Sequence, residues 1–144
     1  NGRLRKMPIN SRTKGATFER DVAKILNDFF ESEGIDYTCK RNLDQYQSKD
    51  LCDINMPYHA IECKFYKEGD WYQNGWWDQV CRSTEGRIPV LIFKFNRKPI
   101  RVCVPLYAIN PEWDEDNSKV AVMPIEDWLG VLRNNWDLYL IKDV

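Results

Sequence analysis

The chain reads as one mixed α/β domain in which a helix precedes a central sheet. Three observations predict this. Residues 16–31 carry apolar side chains at helical spacing, and residues 51–66 and 88–106 carry paired runs rich in β-branched and aromatic residues. The 144 residues are 43% hydrophobic and 13% aromatic, enough to build one core of ordinary size.

The first helix is expected at 16–31. Phe18, Val22, Ile25, Leu26 and Phe29 recur three and four residues apart and form one stripe. Glu19 lies one step from that stripe, on a line with Ala23, Leu26 and Phe30, so it falls at the edge of the buried face. Gly34 stands where the helix is expected to stop. Two strands follow, at 51–56 and 58–66, with the turn at Asn55-Met56-Pro57-Tyr58, because Pro57 has no N–H to give a central ladder. Alternation along the second strand puts Tyr58, Ala60, Glu62, Lys64 and Tyr66 on one face and His59, Ile61, Cys63 and Phe65 on the other. A second helix is expected at 74–84, ended by Gly86. Strands at 88–96 and 99–106 form a hairpin about Arg97-Lys98. Residues 110–119 are a polar loop, 125–134 a short helix, and 136–141 a last strand.

The formal net charge is only -1, but it is unevenly spread. Residues 1–20 hold Arg3, Arg5, Lys6, Arg12, Lys14 and Arg20 against the single acid Glu19, whereas eight acids face three bases from residue 110 onward. Residues 1–13 are read as a flexible basic arm, and the six basic residues as a polyanion-facing edge; a solubilising, disordered N-terminus is the alternative. Met7 is a candidate start, with residues 1–6 a remnant. The five cysteines are odd in number and none has C-x-x-C spacing, which argues against a disulfide framework or zinc knuckle and for a reducing cytoplasm. Neither a membrane-spanning apolar run nor a secretion leader is present in the sequence.

Chemistry concentrates at Asp53, Glu62 and Lys64. If the turn at 56–58 is tight, Asp53 lies opposite Glu62, and cross-strand partners share a face. Asp50 differs from Asp53 by an odd number of positions and points away. Two carboxylates supply hard oxygen ligands for Mg²⁺ or Mn²⁺. Such an ion polarises a phosphodiester and acidifies water, while an adjacent lysine orients that water and offsets the growing charge. The backbone carbonyl of Cys63 is a further candidate ligand. Taken alone, Glu-x-Lys on a strand is also the pattern of an exposed ion pair of little consequence.

The order K14-G15-x-x-F18-E19-R20, D53-I54, I61-E62-C63-K64, a helix with Gln79, then an apolar strand resembles the PD-(D/E)XK nuclease superfamily, and within it the small Holliday-junction resolvases of archaea and phages. The resemblance covers roughly residues 11–96. It implies a restriction-endonuclease-like α/β core, a mixed central sheet flanked by helices. It also implies Mg²⁺-dependent hydrolysis of branched or duplex DNA in recombination and repair, a homodimer, and no small-molecule cofactor. By resemblance, Glu19 completes the metal site from the first helix, Asp53 and Glu62 bind the metal, Lys64 is catalytic, and Gln79 stands near the phosphate or water. Cys52 replaces the proline usual before the first acid, and QYQSKD replaces the usual glycine- and serine-rich lead-in.

Each assignment has an alternative. Glu19 can pair with Lys14 or Arg20 on the surface, and Gln79 can be an ordinary helix residue. Trp71, Tyr72, Trp76 and Trp77 suit core or a dimer interface better than base stacking. His59, the single histidine, falls opposite Glu62 and is not expected to be the general base. The rival functions are a sequence-specific restriction or homing-type nuclease, a flap- or end-processing nuclease, a non-catalytic nucleic-acid binder, and a plain structural domain.

Overall fold

The computed structural model describes residues 2–43 and 51–142, with side chains for 14–43 and 51–139. Its elements run α1 (Gly2–Ser32), β1 (Ile54–Met56), β2 (His59–Tyr66), α2 (Asn74–Arg82), β3 (Ile88–Phe95), β4 (Arg101–Pro105), α3 (Leu106–Ile109), β5 (Val120–Pro124) and α4 (Ile125–Lys142). The five strands form one sheet in the order β1-β2-β3-β4-β5. Only the β2–β3 pair is parallel, with α2 as its crossover; the other pairs are antiparallel. This is the mixed α/β, restriction-endonuclease-like architecture expected from the sequence.

Register assigns each face its cover. Glu62, Lys64 and Tyr66 lie beside Leu91, Phe93 and Phe95. These three β3 residues pack with Trp76, Trp77 and Val80 of α2. Ile61 and Cys63 lie beside Val90 and Ile92, which join Phe18, Val22, Leu26 and Phe30 of α1 and Trp128 and Leu132 of α4. The sheet is thus sandwiched, with α1 and α4 on one face and α2 on the other. Trp76 and Trp77 are core, while Trp71 stays exposed.

The α1 stripe buries as its spacing requires: Phe18, Val22, Leu26, Phe29 and Phe30 are buried, and Glu19 joins them at 8% exposure. Its C-terminus closes in a Schellman arrangement. Gly34 takes φ 69°, its N–H meets Glu31 O at 3.2 Å, and the Ile35 N–H meets Phe30 O at 2.8 Å. The helical backbone extends back to Gly2, through the segment expected as an arm. The side chains of Arg3, Arg5, Lys6 and Arg12 lie outside the described residues.

Three expectations need correction. Residues 136–141 are not a strand but the last turns of α4. Ile125, Trp128, Leu132, Asn135 and Tyr139 are its buried positions, spaced three and four apart, and that period selects helix over strand. The fifth strand is instead Val120–Pro124, paired with β4. The first strand is shorter than expected, Ile54–Met56 rather than 51–56. Finally, Tyr58 leaves the alternation. It takes φ 67° in the two-residue turn between Met56 and His59, and its ring packs on Trp136 and Tyr139, beside His59 rather than Glu62.

Candidate metal-dependent active site

Asp53 lies one residue before β1, where the regular ladder ends. Ile54 pairs with Ile61, the Asp53 N–H also points at Ile61 O, and the Asp53 carboxylate reaches the Cys63 N–H, so Asp53 sits beside Glu62 without forming a regular pair with it. Its backbone is gripped from both sides: its N–H donates to Ile61 O at 3.0 Å, and its C=O accepts the Asn42 N–H at 2.7 Å. Its carboxylate accepts the Cys63 N–H at 2.8 Å. Three hydrogen bonds therefore fix Asp53, two of them to β2 and one to Asn42, and the residue is 8% exposed.

Glu62 is 2% exposed. Burial chiefly, then the charge of Asp53 and a hydrogen bond between the two carboxyls, push its pKa from 4.5 up to about 9; Lys64 pulls the other way, and Glu19 adds a smaller upward push. Two facing carboxylates in a dry site cannot both stay ionised without a cation. Burial removes water from Glu62, and one lysine on the same face offsets only part of the repulsion. Hard oxygen donors in this state suit a divalent cation, which would replace the shared proton.

Glu19 enters from the α1 side, and its charge is felt at Glu62 and at Cys63. Its carboxylate, however, is engaged by Arg41, whose Nε donates to Oε2 at 2.6 Å, with both side chains largely buried. Among the described residues no group of three or more His, Cys, Asp or Glu side chains is arranged to hold a metal ion. The Arg41 contact supplies a physical reason: it satisfies the third acid separately from the Asp53–Glu62 pair.

The remaining sequence candidates fall as follows. Lys64 is half-buried on the Glu62 face. Cys63 has its side chain on the α1 face, and burial raises its thiol pKa well above the ordinary value. Gln79 is half-buried on α2, the helix covering the Glu62 face, with no hydrogen bond to either acid. Lys14 lies 4.4 Å over the Phe65 ring and donates to Asn96 Oδ1 at 2.9 Å, and Arg20 is exposed on α1. His59 is fully buried on the opposite face between Trp128 and Tyr139, and desolvation pulls it down to about 4.

Arg41 escaped the sequence reading. It is set by tertiary path rather than by local pattern. Asn27 of α1 clamps the backbone of Cys39, donating to its C=O at 3.1 Å and accepting its N–H at 2.5 Å. Arg41 then bridges Ile54 as an extra pair at the β1 edge. No periodicity in the sequence signals this.

A family model described as phage putative PDDEXK endonuclease matches residues 10–127. That stretch contains Glu19, Arg41, Asp53, Glu62, Lys64 and Gln79 and all five strands. No curated protein matches the chain.

Proposed function

The chain belongs to the phage putative PDDEXK endonuclease family, and from that premise we propose that it is a divalent-metal-dependent endodeoxyribonuclease that resolves four-way DNA junctions, working as a homodimer in the host cytoplasm. One observation carries the chemistry: a buried, adjoining Asp53–Glu62 pair, with Lys64 two residues beyond Glu62 on the same face.

Asp53, Glu62 and the Cys63 carbonyl would hold Mg²⁺, or Mn²⁺ in its place, with Glu19 completing the set. The ion supplies positive charge for the phosphate and acidity for water. The chain's own residues do the rest. Asp53 is held in place by the Cys63 N–H and the two backbone bonds, so its carboxylate needs no reordering when the substrate arrives. Lys64 places a donor on the Glu62 face, where it orients the attacking water and offsets the charge that grows on the phosphate. Gln79 approaches from α2 and takes part in placing the phosphate or water. Arg3, Arg5, Lys6, Arg12, Lys14 and Arg20 hold backbone phosphates outside the cut.

Junction resolution is supported by the resemblance to the small resolvases. Symmetric cuts across a junction also match the two sites of a two-fold dimer. Incubation with synthetic four-way junctions, flaps and linear duplex in Mg²⁺ tests this. Paired, symmetric nicks in the junction are expected. Cutting of linear duplex at one sequence would replace this reading with a restriction or homing type, and cutting of flaps alone with an end-processing type.

A further inference from the structure

Between α1 and the 39–43 segment lies a groove of about 470 Å³. Its charged lining is Arg20, Lys24, Lys40 and Arg41, four cations and, among the described residues, no acid; Leu43 forms an exposed apolar lip. Lys24 pairs with Asp28 at 2.9 Å, but both side chains are more than 60% exposed, so water and salt screen that pair and a stronger anion displaces it at little cost. Arg41 belongs both to this groove and to the acidic site, through its 2.6 Å contact with Glu19. A guanidinium carries five N–H donors in one plane, a geometry that suits phosphate as well as carboxylate.

We infer that this groove is a subsite for a DNA backbone phosphate and that Arg41 couples it to the metal site through Glu19. The inference rests on the nuclease reading above. Without DNA, Arg41 neutralises Glu19, which keeps a third negative charge from adding fully to the Asp53–Glu62 pair. A phosphate in the groove competes for the Arg41 guanidinium. Glu19 then loses the Arg41 contact, and its carboxylate attracts a divalent cation beside Glu62 more strongly. DNA and metal therefore strengthen one another's binding by the same factor, as linkage requires. This also accounts for an acid trio that is electrostatically connected yet not assembled as a metal cluster. Arg41 is in this account a positioning residue for Glu19 and a contact for phosphate.

The test uses the full chain and two readouts independent of cleavage. Mn²⁺ affinity is measured by electron paramagnetic resonance titration without DNA. Arg41→Gln is expected to bind Mn²⁺ at least fivefold more tightly than the parent, because the Arg41 charge no longer offsets that of Glu19. Where that variant fails to fold, Arg41→Lys replaces it: a lysine grips the carboxylate less well, and at least a twofold gain is expected. Equal or weaker Mn²⁺ binding would overturn the coupling. Separately, anisotropy of a fluorescein-labelled duplex in EDTA is compared for the parent and the double variant Arg20→Gln/Lys40→Gln, whose side chains are exposed. At least tenfold weaker DNA binding is expected, with a salt slope smaller by about 2 for two lost phosphate contacts and an unchanged Mn²⁺ affinity. Unchanged DNA binding would overturn the phosphate subsite. The two levels of failure separate: a parent that cuts no DNA in Mg²⁺ defeats the nuclease reading, whereas a parent that cuts DNA while the Mn²⁺ affinities coincide defeats only the coupling.

Discussion

Glu62 holds its proton because it is buried against Asp53, and that has a measurable consequence in the metal-free protein. Its carboxyl is raised from 4.5 to about 9, so the folded state binds a proton that the unfolded state releases between those values. Stability from this group is present below about 4.5 and is lost as pH rises toward 9. Melting in EDTA is therefore expected to fall between about pH 6.5 and 9, by at most about 1.4 kcal/mol per pH unit, while below 6.5 the opposite slope of His59 offsets it. Glu62→Gln is expected to flatten that fall and to lose the stabilisation that added Mg²⁺ gives the parent at pH 8; a parent whose stability rises from pH 6.5 to 8.5 in EDTA would contradict the raised Glu62 carboxyl. His59 works in the opposite sense. Its folded value of about 4 lies below 6.5, so its contribution is present above 6.5 and is lost as pH falls toward 4. His59→Phe keeps the ring against Trp128 and Tyr139 but loses the bond to Pro57 O. It is expected to remove this acid limb, lower stability at pH 7 by about 1–3 kcal/mol, and leave the cleavage rate at pH 8 within twofold. A large loss of rate in a folded variant would place His59 in the chemistry. At this scale much was legible: strand parity joined Glu62 to Lys64 and set His59 apart from both. Arg41 was not, because its place depends on the clamp from Asn27 twelve residues before Cys39.

At the scale of elements, hydrophobic period carried most of the fold. The α1 stripe, α2 and the β3–β4 hairpin lie where spacing and turn residues put them, and the β1–β2 turn sits one residue later than expected. The failures have physical causes. WDLYLI has a composition that suits strand or helix equally, and only its continuation from Trp128 and Leu132 reveals a helical stripe. Val120–Pro124 is short, half-buried and flanked by a polar loop, so it shows no clean alternation. Tyr58 was misplaced because its positive φ, uncommon for an aromatic residue, moved it out of the strand; packing on Trp136 and Tyr139 offsets that strain. Leu138, exposed on α4, separates helix from strand in experiment. Leu138→Pro is expected to cost about 3 kcal/mol in urea unfolding, because proline breaks a helix interior. A cost under about 1 kcal/mol would fit an exposed edge strand instead.

For the whole molecule, the sheet acts as a frame that brings distant segments to one small volume. β2 contributes Glu62 and Lys64, the β1 edge contributes Asp53, and α1 brings Glu19 to the rim, where the 39–43 segment meets it with Arg41. Among the described residues no helix is long and apolar enough to cross a membrane. The cationic groove of Arg20, Lys24, Lys40 and Arg41 adjoins these acids through the Arg41–Glu19 contact. The account as a whole stands on Asp53, Glu62 and Lys64 being a metal-dependent hydrolytic centre. The most direct measurement is the cleavage rate of end-labelled DNA, as junction, flap and duplex together, by the parent and by Glu62→Ala in Mg²⁺, with circular dichroism showing that both are folded. The parent is expected to cut, EDTA to stop it, and Glu62→Ala to lose at least about a hundredfold in rate. A folded Glu62→Ala protein that cuts as fast as the parent would contradict the account.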